Sequence, residues 1–178
     1  MKKFAVIIIV LSLLTLIVGV FYRLNSLELK SKLKTETNTT KTHLPLFEFT
    51  TLENTIFSKY DLDKNKATII VYFDPDCGKC KIPANFFYTF KKAHKTIQVL
   101  FVSSNTIKKT KDYALEYKLD EVENVNFYIA DFDYFYNTFK ETNTPTYFIY
   151  NIKSKHLVTI NDEVPAKILL RYIKVAQQ

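Results

Sequence analysis

The sequence predicts an α/β fold, a central mixed sheet flanked by helices and begun by an N-terminal hairpin, preceded by one transmembrane helix. Three observations lead there. An apolar run of about nineteen residues lies near the N-terminus. After residue 66, β-branched and aromatic runs of strand length alternate with stretches of helical period. Two short apolar runs then face each other across a turn at 151–154. Strands that alternate with helices need crossover connections and so build a mostly parallel sheet, to which the late hairpin adds an antiparallel edge.

With 178 residues, 47% of them apolar and 15% aromatic, the chain can bury one domain core and carry an appendage without disulfide staples or metals. The two cysteines are therefore free for chemistry. The net charge of +7 is unevenly spread: residues 1–43 hold seven Lys or Arg against two Glu, and residues 44–178 hold eighteen basic against sixteen acidic side chains. The globular part is nearly neutral, with no basic stripe able to displace counterions from phosphates, so no nucleic-acid partner is expected.

Lys2 and Lys3 precede the apolar segment 4–22, and Arg23 closes it. At roughly 1.5 Å per residue it spans about 28 Å, close to a hydrocarbon core of roughly 30 Å. Val20, Phe21 and Tyr22 occupy the place where a cleavage site needs small residues, so residues 1–23 read as an uncleaved membrane anchor. The lysine pair favours a cytoplasmic N-terminus, which places the domain on the extracytoplasmic, periplasmic side of a single-pass protein. Residues 24–43 are polar, lack an apolar period and read as a flexible linker in which His43 is solvated. The domain is then 44–178.

Within it, 46–50 and 55–57 alternate as a hairpin. Residues 67–73 form a near-continuous apolar run, the pattern of a strand buried on both faces. The cysteines follow at once, and Ile82, Phe86 and Phe90 then recur at helical spacing. A strand at 97–102, a helix at 106–119, a strand at 125–130 and a short helix at 132–139 come next. Thr144-Pro145 opens the strand 146–150, which turns into 156–160, and Val164, Ile168, Tyr172 and Ile173 mark a closing helix.

A helix that opens just after a buried strand aims unpaired N–H groups and a partial positive charge at its first residues. That position belongs to Cys77, which makes it the candidate low-pKa attacking sulfur, and Cys80 is near enough to resolve a mixed disulfide. Around them Lys79 and Lys81 favour the thiolate and Asp74 and Asp76 oppose it, which makes Asp76, Gly78 and Lys79 candidates for tuning. A zinc site needs four ligands, and His43, His94 and His156 are scattered, so no metal is expected. A permanent disulfide would close too short a loop to restrain the unfolded chain much. Inert core thiols fit poorly with the flanking Asp, Pro, Gly and Lys. Pro145 cannot donate a ladder hydrogen bond, and at the head of an apolar strand a cis Thr144–Pro145 bond would explain it.

In three segments the chain resembles the thioredoxin superfamily, most closely its membrane-anchored TlpA/ResA-type thiol-disulfide oxidoreductases. They are Leu44-Pro45-Leu46-Phe47-Glu48-Phe49 with Ile56-Phe57-Ser58 and Tyr60-Asp61-Leu62, the run from Ile69 through Cys77-Gly78-Lys79-Cys80, and Thr144-Pro145-Thr146-Tyr147-Phe148-Ile149. The resemblance implies a thioredoxin-like fold, with Cys77 as nucleophile, Cys80 as resolving thiol and Thr144 and Pro145 holding the partner chain. It implies an enzyme that exchanges disulfides with extracytoplasmic client proteins as a reductant, with a redox-active Cys77–Cys80 disulfide in place of a cofactor and a membrane-associated electron donor. The alternative expectation is a redox-gated adaptor or metal-delivery protein that uses the fold without turnover. The sequence departs from the family at three places. Asp76 replaces the usual aromatic residue before the first cysteine, Val71 occupies the position of thioredoxin's buried acid, and Pro83 comes three rather than five residues after the second cysteine, so that either the first turn is differently shaped or regular helix starts near Ile82. Asp74 stands where a peroxidatic site needs threonine.

Overall fold

The computed structural model describes residues 42–91 and 96–178. The expected anchor 1–23, the linker through residue 41 and His94 lie outside them. Among the described residues, no helix is long and apolar enough to cross a membrane.

Seven strands form one sheet: β1 (Glu48–Thr51), β2 (Ile56–Ser58), β3 (Ala67–Tyr72), β4 (Ile97–Ser103), β5 (Val125–Ile129), β6 (Thr146–Tyr150) and β7 (His156–Asn161). Among the described residues four helices accompany them: α1 (Lys81–Thr89), α2 (Ile107–Glu116), α3 (Phe132–Phe139) and α4 (Ala166–Ala176). The spatial order is β2-β1-β5-β4-β3-β6-β7. β3, β4 and β5 run parallel, whereas β6 pairs antiparallel with β3, β7 with β6, and the β1–β2 hairpin joins β5 antiparallel. The sheet is mixed as expected but not mostly parallel: two of its six strand pairings are parallel and four antiparallel, because the N-terminal hairpin joins β5, and β6 joins β3, in the antiparallel sense.

Residue alternation splits the core in two. Ile69 and Val71 of β3, Val99 and Phe101 of β4 and Tyr147 and Ile149 of β6 face α1, α2 and α4. Their neighbours Ile70, Tyr72, Leu100, Val102, Phe148 and Tyr150 face the other way, where Phe135 and Phe139 of α3 and Phe47 and Phe49 pack on them. All six β3 residues are buried, which accounts for its unbroken apolar run. Each large side chain so buried contributes about 1.5–3 kcal/mol.

Helix ends show where periodicity overran. α2 begins at Ile107 because the Thr106 hydroxyl accepts the Lys109 N–H at 3.3 Å. It stops at Glu116, since Lys118 turns left-handed at φ 54°, and a short 3-10 turn at Leu119–Glu121 then buries Leu119. α3 covers the expected residues, opened by Asp131 accepting from Tyr134 N–H at 3.0 Å and closed by Lys140 at φ 62°. At the N-terminal border, Thr42 and His43 do not continue a free linker. The Thr42 carbonyl accepts the His156 N–H at 3.0 Å and His43 bridges Lys155, although the His43 side chain is exposed as expected.

Candidate active site

β3 ends at the centre of the sheet, and the chain leaves it through a run of tight turns. Phe73, buried at that exit, donates its N–H to the Val102 carbonyl at 3.0 Å and so ties the exit to β4. The Asp74 carbonyl then accepts the Cys77 N–H, the Cys77 carbonyl the Cys80 N–H and the Lys79 carbonyl the Ile82 N–H, each at 3.0 Å. Asp74 Oδ1 also accepts the Asp76 N–H at 2.9 Å. Regular helix begins only at Lys81, with Cys80 as its N-cap. This corrects the expectation that Cys77 sits on the first helical turn: it stands one turn earlier. It also explains Pro83, which is the third helical residue, where an N–H has no intrahelical partner.

The two sulfurs occupy different surroundings. Cys77 is partly exposed and Cys80 fully buried, and neither is bridged to another residue. Partial burial pushes the Cys77 thiol upward, but hydrogen bonds to its ionised form outweigh that. They come from the Cys80 thiol, the Lys79 N–H, the Thr144 side chain and the Cys80 N–H, and the net result is a pKa below the ordinary thiol value. As a thiol, Cys77 Sγ faces the Thr144 carbonyl at 3.7 Å. Burial pushes Cys80 the other way, up to about 12, and a charge on Cys77 adds to this. The turn is held from beneath by Tyr113 of α2, whose hydroxyl donates to the Cys80 carbonyl at 2.6 Å.

Two of the four charged neighbours, Lys79 and Asp76, are paired. Lys79 Nζ reaches Asp162 at 2.9 Å, across the site to the loop after β7, and Asp76 is paired with Lys109 of α2. Hydrogen bonds to the partner raise the Lys79 pKa and lower the Asp76 pKa. Two of the local charges read from the sequence are thus compensated by distant residues that carry no motif. Gly78 has no special role in the backbone: its φ is not positive, and an added methyl there would meet nothing within 4 Å. Val71 is buried and apolar, so the position of thioredoxin's acid holds no proton carrier.

Facing the turn, Thr144–Pro145 is a cis peptide, as the sequence suggested. The loop carrying it is fixed by Thr146 together with Glu141, Asn161 and Asp162, which sequence reading did not single out. Glu141 Oε1 accepts the Thr142 and Asn143 N–H groups at 2.8 and 2.9 Å, and its Oε2 accepts from Asn161 Nδ2 at 2.7 Å. The Thr146 hydroxyl donates to the Asn143 carbonyl at 2.7 Å, and the Asp162 N–H to the Pro145 carbonyl at 2.8 Å. The structure therefore brings Cys77, Cys80, Thr144 and Pro145 together, with Lys79 and Asp76 on the rim. It leaves His156 away from them, bonded to Thr159 at 2.9 Å. Among the described residues, no group of three or more His, Cys, Asp and Glu side chains could hold a metal ion. A low-pKa accessible sulfur beside a buried, high-pKa one can perform thiol-disulfide exchange.

No protein-family model matches the sequence, and no curated protein matches it. Solved structures do resemble it. A secreted Mycobacterium tuberculosis disulfide oxidoreductase homologous to E. coli DsbE is 14% identical, with a TM-score of 0.61 over 72% of this chain and 95% of the other. A thiol:disulfide interchange protein of the thioredoxin family from Chlorobium tepidum is 20% identical, with a TM-score of 0.61 over 80% and 100%. BsSco, a member of the Sco family of cytochrome c oxidase assembly proteins, is 13% identical, with a TM-score of 0.61 over 81% and 98%. At these identities the likeness is one of fold, and the fold is thioredoxin-like.

Proposed function

We propose that this protein is a thiol-disulfide oxidoreductase that reduces extracytoplasmic client proteins through Cys77 and Cys80. The observation that carries the reading is the division between the two sulfurs: Cys77 accessible with a lowered pKa, Cys80 buried with a pKa of about 12. The Cys77 thiolate attacks a client disulfide, one client sulfur leaves as a thiolate, and a mixed disulfide forms. Cys80 then attacks the Cys77 sulfur. The Cys77–Cys80 bond forms, the bond to the client breaks, and the client gains two electrons and two protons overall. Thr144 and Pro145 border the attacking sulfur and are the surface against which a client strand is held. A membrane-associated donor returns the electrons, and residues 4–22 keep the domain near it. The redox carrier is the sulfur pair itself. Support comes from neighbours of the same fold described as a disulfide oxidoreductase and a thiol:disulfide interchange protein.

The test is paired substitution. Cys77→Ser should abolish reduction of a protein disulfide, and Cys80→Ser should accumulate mixed disulfides. Normal turnover by either variant refutes the reading. The likeness to a Sco-family assembly protein supports a second reading, a redox-gated adaptor or metal-delivery protein. That reading requires stoichiometric capture of a partner or metal without catalytic reduction.

A further inference from the structure

Two tyrosines share the buried cluster of Cys80, and they differ in what their hydroxyls do. Tyr113 of α2 commits its proton to the Cys80 carbonyl. Tyr147 of β6 is fully buried, and its hydroxyl has no hydrogen-bond partner. Its place follows from the register: Tyr147 lies directly across from Val71 of β3, on the sheet face that packs against α1 and the Cys80 side chain, two residues beyond Pro145. Directly opposed residues on antiparallel strands share a face with their Cβ atoms about 5 Å apart, and Val71 offers no acceptor. A buried hydroxyl without a partner opposes folding, and phenylalanine would fill the same volume without that cost. The Tyr147 hydrogen is therefore uncommitted in the same buried cluster as the one sulfur that must ionise in a buried place.

Resting on the exchange reaction above, we propose that Tyr147 is a positioning residue for the resolving step: its O–H turns to the Cys80 sulfur as the thiolate forms and holds it for attack. In that step the Cys80 S–H loses its proton, the Cys80–Cys77 S–S bond forms, and the Cys77–client S–S bond breaks. The departing client thiolate takes up one proton, so protons balance. Tyr147 gives a hydrogen bond and no proton. Burial raises its pKa, and a charge on Cys80 adds to this, so the phenol stays protonated and a donor. The other groups that face Cys80 are Cys77 and Asp74 from the turn, Tyr113 of α2 and Tyr117 just after α2, while Glu163, before α4, acts on Tyr147.

The test is Tyr147→Phe in the reduced full-length chain, in detergent micelles, mixed with excess 5,5′-dithiobis(2-nitrobenzoate). The first thionitrobenzoate released reports attack by Cys77; the second reports its displacement by Cys80. The second phase should slow by about tenfold near pH 7, the loss of one hydrogen bond to a charged group, and its pH midpoint should rise by about one unit. The first phase should keep its rate and the melting temperature should not fall. Titrating Cys80 by thiolate absorbance in Cys77→Ser, with and without Tyr147→Phe, should show the same rise. A second phase within about twofold of wild type with an unmoved midpoint, or a clear loss of thermal stability, overturns the proposal while leaving the exchange reading intact. A wild-type chain that releases no second equivalent overturns both.

Discussion

At about pH 7, Cys77 should be alkylated by iodoacetamide at least tens of times faster than Cys80, and the ratio follows from their surroundings. With its pKa near 12, Cys80 is ionised in roughly one molecule in 10⁵ at that pH, whereas an ordinary thiol near 8.5 to 9 is ionised in roughly one in a hundred. The populations thus differ by on the order of 10³. The more basic thiolate is the better nucleophile, and a Brønsted slope of about 0.4–0.5 over about three units returns roughly 20- to 30-fold. A net preference of about 30- to 50-fold for Cys77 survives. Both the lowered pKa of Cys77 and the complete burial of Cys80 widen it. The measurement is the alkylation rate of Cys80→Ser, which reports Cys77 and keeps a donor at position 80, against that of Cys77→Ser, which reports Cys80. Rates within about threefold of each other, or Cys80 the faster, would refute the assignment of roles.

Asp76→Asn removes a carboxylate beside the nucleophile and releases Lys109; the Cys77 pKa should fall by a few tenths of a unit, a shift that salt at about 0.5 M suppresses because both groups are exposed. Phe87→Ala, at a fully buried ring of α1 packed 5.7 Å from Phe101, should cost about 3–5 kcal/mol in denaturant unfolding. Stability should fall as pH rises above about 8.5. The folded pKa of Cys80, about 12, exceeds its unfolded value, so the stabilisation is whole below the unfolded pKa and lost by the folded one. The slope is about 1.4 kcal/mol per pH unit, on the order of 4 kcal/mol in all. Cys80→Ser should flatten the part between about pH 8.5 and 10, before the buried tyrosines contribute with the same sign. Lys140→Gly, at φ 62° after α3, should raise stability by about 0.5 kcal/mol, since glycine adopts that backbone without Cβ strain.

What could be read in advance was what local pattern encodes. β3 and β6 announce themselves by unbroken apolar runs, because strands covered on both faces have no polar side to show. α3 was legible to the residue, because Asp131 caps it and its two buried rings, Phe135 and Phe139, stand four residues apart on one face. The cysteine pair and the proline before β6 were legible as chemistry. The rest depends on contacts far apart in the chain. Asp76 meets Lys109 and Lys79 meets Asp162 over separations that no spacing rule reports, and Glu141, Asn161 and Asp162 converge on the proline loop from two segments. Pro83 pointed to a helix start near Ile82, close to the observed Lys81, but three successive turns that imitate helical spacing from Asp74 onward made Cys77 read as the helix start. Thr42 and His43 lack any apolar period, yet they pair with the β7 edge through backbone groups alone. Tyr147 reads in sequence as one more aromatic strand residue; only its register against Val71 and its unpartnered hydroxyl set it apart.

The most direct test is to equilibrate the full-length protein with graded mixtures of oxidised and reduced dithiothreitol and trap the thiols at each point. A working reductant should show one reversible two-electron transition between Cys77 and Cys80, with a midpoint nearer thioredoxin's roughly −270 mV than the roughly −120 mV of a strong oxidant. The transition should be absent from Cys77→Ser. Two thiols that stay unbridged across the series would contradict the redox role, and a midpoint near −120 mV would contradict the proposed direction.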